Sequence, residues 1–372
     1  MKTGFFWDER CFWHWGGGYA LTAPLGGLVQ PMAAGGLPED PETKRRFKNL
    51  MDVTGMSAAV DCRSANLATK EDLLRVHPES YLDAFKALSD AGGGELSPGQ
   101  RAPFGPGGYE IAALSTGLVK AALLSVLEGG HRNAYALSRP PGHHCLPDSP
   151  NGFCLLANIA VAIEAARAAG HHLRYAVVDW DVHHGNGTEA IFYDRSDVLT
   201  ISIHQERNYP WDTGSIEDQG DGDGAGANMN IPLPPGGGHD TYVEAMQRLI
   251  VPKLAAFKPD VIIVACGFDA SGADPLSRMI CGAETFKAMT EDLMALADTC
   301  CDGRLVMAHE GGYSELHVPF CGHAVLEAMS GAEVHALDPL SPRMANQQPS
   351  EEMLVVFSGI IDRYATYFGL EP

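Results

Sequence analysis

The feature that most constrains the fold is a series of short apolar runs that alternate with longer helical patterns. The runs have the length of strands and lie at residues 134–137, 175–178, 198–203, 261–265 and 305–308. Amphipathic helical patterns lie at residues 155–169, 240–257 and 283–298. This alternation predicts an α/β fold with a mainly parallel sheet and helices on both faces. Because no linker, repeat or charge run marks a boundary, we expect one domain over residues 1–372.

Polar residues follow each of the five apolar runs. In chain order, these segments are SRPPGHHC, DWDVHHGNG, HQERNYP, CGFDASGADP and HEGGY. Ligands of open parallel sheets bind in the crevice outside the carboxyl ends of the strands. The sequence therefore predicts one functional site where these five segments meet.

The segment after the second run has the spacing of a metal-ligand set. Asp179, Asp181 and His183 share one face of an extended chain, because alternate residues point the same way. Asp and His together suit a zinc-type ion, which in catalytic sites keeps three protein ligands and one open position. Asp269, after the fourth run, is the natural third ligand beside Asp181 and His183. The alternative, a purely structural set of hydrogen-bonded strand ends, is less favoured because the other strand ends carry similar chemistry.

The same segments lack the carboxylates of a two-metal site. Arginase-like enzymes, which hold two manganese ions, carry D-x-H-x-D in one segment and D-x-D in a later one. The corresponding positions here are Gly185 and Ser271. We therefore predict a single catalytic ion, and an arginase-type ureohydrolase is disfavoured.

Two adjacent histidines, His143 and His144, lie on a proline-stiffened loop after the first run. Histidine is the side chain best suited to proton transfer near neutral pH, so we expect the pair to activate water beside the metal. Asp179 is expected to orient one of the two rings. Two glycines before Tyr313 permit a backbone path that brings its hydroxyl near the metal, where it would donate a hydrogen bond to a developing oxyanion.

The motifs RPPGHH, GFC, DWDVHHGNG, GFDA and EGGY, in this order, resemble those of the zinc-dependent histone deacetylase family. The likeness is strongest to its class II enzymes and to the bacterial histone deacetylase-like amidohydrolases and acetylpolyamine amidohydrolases. It covers most of the chain. The resemblance implies the single-domain arginase/deacetylase fold, with the active site at the carboxyl ends of the strands.

The resemblance also implies a role for each matching residue. The zinc ligands are Asp181, His183 and Asp269, and the catalytic positions are His143, His144, Asp179, Asn186 and Tyr313. Gly152, Phe153 and Tyr209 fall in the wall of the acyl-lysine tunnel. A structural potassium ion is implied near the zinc, with ligands from Asp179, Asp181, His183 and Ser202.

Two positions depart from patterns in the family. Asn186 stands where class I enzymes pair an aspartate with the second histidine, so His144 is expected to be less basic than in class I. Many relatives carry an aspartate that grips the substrate backbone before the GPGGYE segment, whereas this chain has Arg101 nearby.

The resemblance predicts an enzyme that hydrolyses linear amides, a deacetylase acting on acylated lysine side chains or similar amines. An acetylpolyamine amidohydrolase is the alternative: the overall acidity and Arg101 favour it, whereas the HHGNG and HQ patterns favour acyl-lysine. A non-catalytic acyl-amine binding protein would be expected to lose the tyrosine or a histidine, and both are retained here. The resemblance leaves open a homo-oligomer with the aromatic N-terminal segment at its interface.

Composition narrows the partners and the compartment. The formal net charge of −21 disfavours nucleic acid, because such binding depends largely on lysine and arginine. No run approaches the roughly 20 apolar residues of a membrane helix, and charged residues 8–10 interrupt the aromatic start, so we expect a soluble protein. Nine cysteines without a C-x-x-C pair are typical of reduced thiols and predict the cytoplasm. Cys145 and Cys154 flank the predicted site, either as redox-sensitive thiols or as small packing residues.

Overall fold

The computed structural model describes residues 1–30, 32 and 36–370. Strands occur throughout this part of the chain. In order they are β1 (Gly4–Phe6), β2 (Tyr19–Ala20), β3 (Ala23–Pro24), β4 (Asp61–Arg63), β5 (Asn133–Ala136), β6 (Tyr175–Asp179), β7 (Val198–Gln205), β8 (Asn228–Leu233), β9 (Val261–Cys266) and β10 (Leu305–His309).

Helices connect most of these strands. In chain order the α-helices are α1 (Glu42–Thr54), α2 (Met56–Ala59), α3 (Lys70–Leu74), α4 (Glu79–Asp90), α5 (Gly108–Leu127), α6 (Asn158–Ala168), α7 (Asn186–Phe192), α8 (His239–Ala245), α9 (Val251–Phe257), α10 (Ala283–Cys300), α11 (Val318–Ser330), α12 (Ser341–Asn346) and α13 (Glu351–Phe368). A π-helical turn at Met246–Ile250 joins α8 to α9, and short 3-10 helices lie at Glu9–Trp13 and Gly222–Gly224.

The main sheet has eight strands in the order β4-β1-β5-β10-β9-β6-β7-β8, and every neighbouring pair is parallel. All five strands predicted from apolar runs are present, as β5, β6, β7, β9 and β10. They are adjacent in the sheet, so their carboxyl ends form one continuous edge. This confirms the expected parallel sheet flanked by helices. Within this sheet, β1 and β4 lie at one side of the centre and β8 at the other. The strands β2 and β3 pair antiparallel in a separate two-stranded sheet.

The centre of the sheet is buried on both faces. Every residue of β6, β7, β9 and β10 is buried. Burial on both faces is the reason that parallel strands have continuous apolar sequences instead of alternating ones. The predicted helices at residues 155–169, 240–257 and 283–298 correspond to α6, to α8 through α9, and to α10.

The helix α5 corrects one expectation from the sequence. Its 20 residues are long and apolar enough to cross a membrane by length and composition alone. The sequence pattern hides this property because alanine, glycine, serine and threonine separate its larger apolar residues. The helix packs against α6, β5 and β1, and 61% of the apolar window is buried inside the protein. This core packing accounts for its apolar composition.

Candidate active site

Asp181, His183 and Asp269 bring three possible ligand atoms together beyond the ends of β6 and β9. His183 Nδ1 lies 3.0 Å from Asp181 Oδ1 and 2.9 Å from Asp269 Oδ2. All three side chains are buried. Backbone N–H groups fix the carboxylates: Val182 donates to Asp269 Oδ1 at 2.7 Å, and Gly311 donates to Asp181 Oδ2 at 2.8 Å. The group has the convergence that a metal site requires.

Gly311 shows why this convergence needs a glycine. A Cβ atom at this position would lie 2.3 Å from Asp269 Oδ2, 2.5 Å from Asp181 Oδ2 and 3.0 Å from Tyr313 Oη. Any side chain would therefore fill the space that the three oxygens surround. The phenol predicted to approach the metal does lie beside the two carboxylates.

The electrostatics of this group fit a bound divalent cation. Burial and the nearby charge of Asp181 raise the pKa of Asp269 to about 6, because two buried carboxylates repel each other. A cation between them would relieve that repulsion. Two carboxylates and one imidazole match the mixed oxygen and nitrogen ligands of transition-type ions, whereas Ca²⁺ and Mg²⁺ favour oxygen alone.

A second buried group, formed by His143, Cys154 and Glu310, also has its possible ligand atoms within 4.8 Å of one another. Burial raises the pKa of the Cys154 thiol well above its usual value, so the sulfur keeps its proton. His143 Nδ1 bonds to Asp179, and Glu310 Oε2 accepts two backbone N–H groups, so both side chains already have partners within the protein. This bonding favours a structural role for the group over a second ion. Cys145 is likewise buried, and burial raises the pKa of its thiol, so both cysteines behave as packing residues.

The tandem histidines bond to different partners. His143 Nδ1 lies 2.9 Å from Asp179 Oδ2, and His144 Nδ1 lies 2.8 Å from Asn186 Oδ1. Burial opposes a charge on His143, but Asp181 and Asp179 outweigh it and raise the pKa of this ring well above its usual value. Burial lowers the pKa of His144, and the charges of His143 and His183 lower it further. The surroundings therefore favour the protonated form of His143 and the neutral form of His144.

Glu310 holds the histidine loop, a contact that the sequence did not reveal. Its Oε2 accepts hydrogen bonds from the backbone N–H groups of Gly142, at 2.7 Å, and His143, at 3.1 Å. Its Oε1 has no hydrogen-bond partner among the residues that the structure describes. The position of Glu310 at the end of β10, immediately before two glycines, was the available signal, because carboxyl ends of neighbouring strands meet.

Arg139 anchors the other end of the same loop. Its guanidinium donates to Glu39 Oε1 at 3.0 Å and to the carbonyl oxygens of Cys11 and His14 at 3.1 and 2.9 Å. Lys44 also donates to Glu39 Oε1, at 3.1 Å, and the three charged side chains are fully buried. The loop that carries His143 and His144 is therefore held at one end by this buried ion cluster and at the other by Glu310.

Asp274 positions Tyr313, and it too was missed in the sequence. Its Oδ2 accepts the backbone N–H of Tyr313 at 2.8 Å, and its Oδ1 accepts that of Leu276 at 2.8 Å. Burial, reinforced by the charge of Asp269, raises the pKa of the Tyr313 phenol well above its usual value. Tyr313 therefore keeps its proton and can act as a hydrogen-bond donor.

A cavity of about 460 Å³ leads to His144, His183 and Tyr313. The predicted tunnel residues Gly152, Phe153 and Tyr209 all line it. The Phe153 ring lies 5.6 Å from the Tyr313 ring, and the Tyr209 ring lies 5.1 Å from the His144 ring, between centroids. The other lining residues are Thr22, Arg101, Arg207, Asn208, Trp211 and Leu276.

Gly152 is required where the tunnel passes His144. Its φ is +48°, and a Cβ atom there would lie 2.4 Å from His144 Cδ2 and 2.8 Å from Tyr209 Cε1. A larger residue would displace both rings.

The residues predicted to hold potassium lie at the ends of two neighbouring strands. Asp179 and Ser202 are register partners on β6 and β7, and Ser202 Oγ lies 2.9 Å from His204 Nδ1.

Sequence comparisons match most of the chain to known proteins. Residues 37–329 match the model of the histone deacetylase domain. A protein of Pseudomonas aeruginosa named histone deacetylase-like amidohydrolase is 56% identical over 371 residues, which cover 100% of this chain and 97% of that protein. A probable deacetylase of Archaeoglobus fulgidus is 36% identical over 306 residues, covering 81% of this chain and 84% of that protein.

A comparison with solved structures also matches nearly the whole chain. The crystal structure of the HDA15 HD domain superposes with a TM-score of 0.81 and 29% sequence identity. The match covers 99% of this chain and 95% of that one. The arrangement of strands and helices described above is therefore that of the arginase/deacetylase fold.

Proposed function

Since the chain belongs to the histone deacetylase family, we propose that it is a zinc-dependent amidohydrolase that removes acetyl or other short acyl groups from acylated lysine side chains or similar amines. One observation carries the proposal. The buried metal-type group of Asp181, His183 and Asp269 lies at the end of an aromatic-lined cavity, beside two histidines whose pKa values their surroundings shift in opposite directions.

Asp181, His183 and Asp269 would hold the ion. When bound, zinc supplies polarisation of the acyl carbonyl and lowers the pKa of water, to about 7 in favourable sites. His144, being neutral, accepts the proton of the attacking water. The hydrogen bond from His144 to Asn186 leaves Nε2 as the ring nitrogen that faces the substrate. The tautomer follows from that bond.

His143 and Tyr313 have complementary tasks in this proposal. Tyr313 keeps its proton and donates a hydrogen bond to the carbonyl oxygen as negative charge develops there. His143, whose protonated form is stabilised by its hydrogen bond to Asp179, donates a proton to the departing amine nitrogen. The C–N bond breaks, and acetate and the free amine are the products. Asp179 thus fixes both the orientation and the charge of His143.

The cavity walls select a slender aliphatic linker. Phe153 and Tyr209 present their rings to the channel, and such rings pack against methylene groups while excluding water. The potassium ion implied by the family is part of the proposal, with Asp179, Asp181, His183 and Ser202 at its site. Its role would be to fix the segment that carries two zinc ligands. We also propose a cytoplasmic location.

A turnover assay tests the proposed function. The zinc-loaded protein is incubated with an acetyl-lysine peptide and, in parallel, with acetylated putrescine, each with and without a chelator. Hydrolysis that the chelator abolishes and zinc restores is expected for the peptide. Preference for the polyamine would move the substrate to that class. Absence of hydrolysis on both substrates would favour a non-catalytic acyl-amine binding protein.

A further inference from the structure

Two arginines without carboxylate partners line the mouth of the active-site cavity. Arg101 is partly buried and Arg207 is exposed, and both line the cavity. Among the described residues, neither guanidinium forms an ion pair or a hydrogen bond with another side chain. The chain has 47 acidic and 26 basic residues, so unpaired arginines are unexpected on electrostatic grounds. Their position suggests that their partner is a ligand.

The backbone fixes Arg101 at this position. The carbonyl oxygens of Gln100 and Arg101 accept hydrogen bonds from the N–H groups of Gly152 and Phe153, each at 3.0 Å. The guanidinium carbon lies 5.7 Å from the centroid of the Tyr209 ring, a cation–π contact. The guanidinium therefore lies at the wall of the cavity over the Tyr209 ring, which itself contacts the His144 ring.

Both arginines adopt a backbone conformation that favours glycine. The φ angles are +56° at Arg101 and +54° at Arg207. Left-handed backbone is costly for residues with a Cβ atom, and such residues cluster at functional sites. Two long cationic side chains at strained positions on the same cavity mouth fit a role in recognition.

No other charged side chain lines the outer part of the cavity within the described residues. Thr22, Asn208 and Trp211 are neutral there. Carboxylates close in sequence or contact are Glu206, next to Arg207, Asp212, next to Trp211, and Glu95, which accepts the hydroxyl of Tyr19, and none of the three lines the cavity. The charged side chains that line the mouth are therefore both cationic, although the chain as a whole carries a formal net charge of −21.

We infer that Arg101 and Arg207 make the enzyme prefer acylated lysines that have Asp or Glu as neighbours in the substrate peptide, and make it disfavour acetylated polyamines. This inference rests on the proposed function. The linker of an acyl-lysine ends at a peptide backbone, where flanking Asp or Glu side chains reach the mouth. A polyamine instead places protonated nitrogens beside two cations. Arg101 would then favour the peptide and not the polyamine that the sequence alone suggested, because the fold places its guanidinium on the cavity wall.

The test uses three acetyl-lysine peptides that differ only in the flanking residues, which are Asp, Ser or Lys, together with acetylputrescine. For the native protein, kcat/KM is expected to be roughly three- to tenfold higher for the Asp peptide than for the Lys peptide, with the Ser peptide between them. Acetylputrescine is expected to be the poorest substrate. High salt should narrow the range, since screening weakens exposed charge pairs.

Charge-reversed variants show whether the two arginines cause the preference. In the double variant Arg101→Glu with Arg207→Glu, the Asp-to-Lys ratio of kcat/KM should fall below one. The matched control Arg363→Glu changes an exposed arginine of α13, whose one hydrogen bond within the described part of the chain is to the carbonyl of Gly359, and it should keep the native ratio. A native ratio near one, or a ratio unchanged in the double variant, would overturn the inference while leaving the proposed function intact. No hydrolysis of any peptide would overturn the proposed function and this inference with it.

Discussion

The imidazole rings of His143 and His144 lie 3.9 Å apart between centroids, yet their surroundings shift their pKa values in opposite directions. A carboxylate bonds to the first ring and a carboxamide to the second. The charge on His143 itself helps to keep His144 neutral. Two titratable groups whose pKa values are driven apart by their surroundings can act as acid and base at one pH.

Replacing Asn186 with Asp should leave less of His144 in its neutral, proton-accepting form at low pH. A carboxylate at the same place would favour the charged form of His144 and raise its pKa. The acid-side limb of a plot of kcat/KM against pH should then move to higher pH, because His144 would lose its proton only there. Coincident limbs for the native protein and the variant would contradict the assignment of His144 as base.

Tyr313→Phe should bind substrate but lose most turnover. The variant keeps the ring that packs against Phe153 and removes only the hydroxyl near the carboxylates of the metal group. Loss of one donor to a developing oxyanion lowers kcat by about 10² to 10³-fold. Steady-state kinetics on an acetyl-lysine peptide would measure this. A large rise in KM with unchanged kcat would assign the hydroxyl to ground-state binding instead.

Glu310→Leu should lower kcat and stability more than Glu310→Gln does. Leucine leaves the buried N–H groups of Gly142 and His143 without an acceptor, at about 1–3 kcal/mol for each group. Glutamine retains an acceptor oxygen. We expect lower kcat and a lower midpoint of urea unfolding for the leucine variant, with most of both recovered in the glutamine variant. Equal losses in the two variants would mean that the charge of Glu310, and not its acceptor role, matters most.

Glu39→Gln should destabilise the fold, because it leaves the buried cations of Arg139 and Lys44 without their anion. Removing one partner of a buried ion pair costs about 3–5 kcal/mol. Urea unfolding would measure the loss, with the exposed Glu333→Gln as the matched control. A change no larger than that of the control would contradict the role of the cluster.

The same carboxylate makes stability depend on pH. Burial alone would raise the pKa of Glu39, but Arg139 and Lys44 outweigh it and lower the pKa to about 2. A lowered pKa contributes stability that is complete above the ordinary value of about 4.5 and is lost as the pH falls towards 2. The native protein should therefore lose more unfolding free energy than the Glu39→Gln variant over that interval.

The central strands could be read from the sequence because both of their faces are buried. The outer strands were missed for physical reasons. β1 and β4 have only three residues each, and β8 is an edge strand that contains Pro232, which sheets tolerate only at edges. Short or irregular strands of this kind have no distinctive local pattern.

The residues after each central strand could be assigned to one site because parallel strands end at the same edge. The buried residues that hold these segments in place could not be predicted in this way. Glu310 bonds to a residue 168 positions away in the chain, and Arg139 bonds to Glu39 across 100 positions. Contacts of this range depend on the fold as a whole, as does the location of Arg101 at the cavity mouth.

The most direct measurement is the metal content of the native protein and of Asp269→Asn, taken together with the initial rate of acetyl-lysine hydrolysis. The account predicts one zinc per native chain, hydrolysis that releases acetate, and loss of both in the variant while the fold is retained by circular dichroism. Full hydrolysis by protein stripped of metal, or by the variant without zinc, would contradict the proposal that Asp181, His183 and Asp269 hold the catalytic ion.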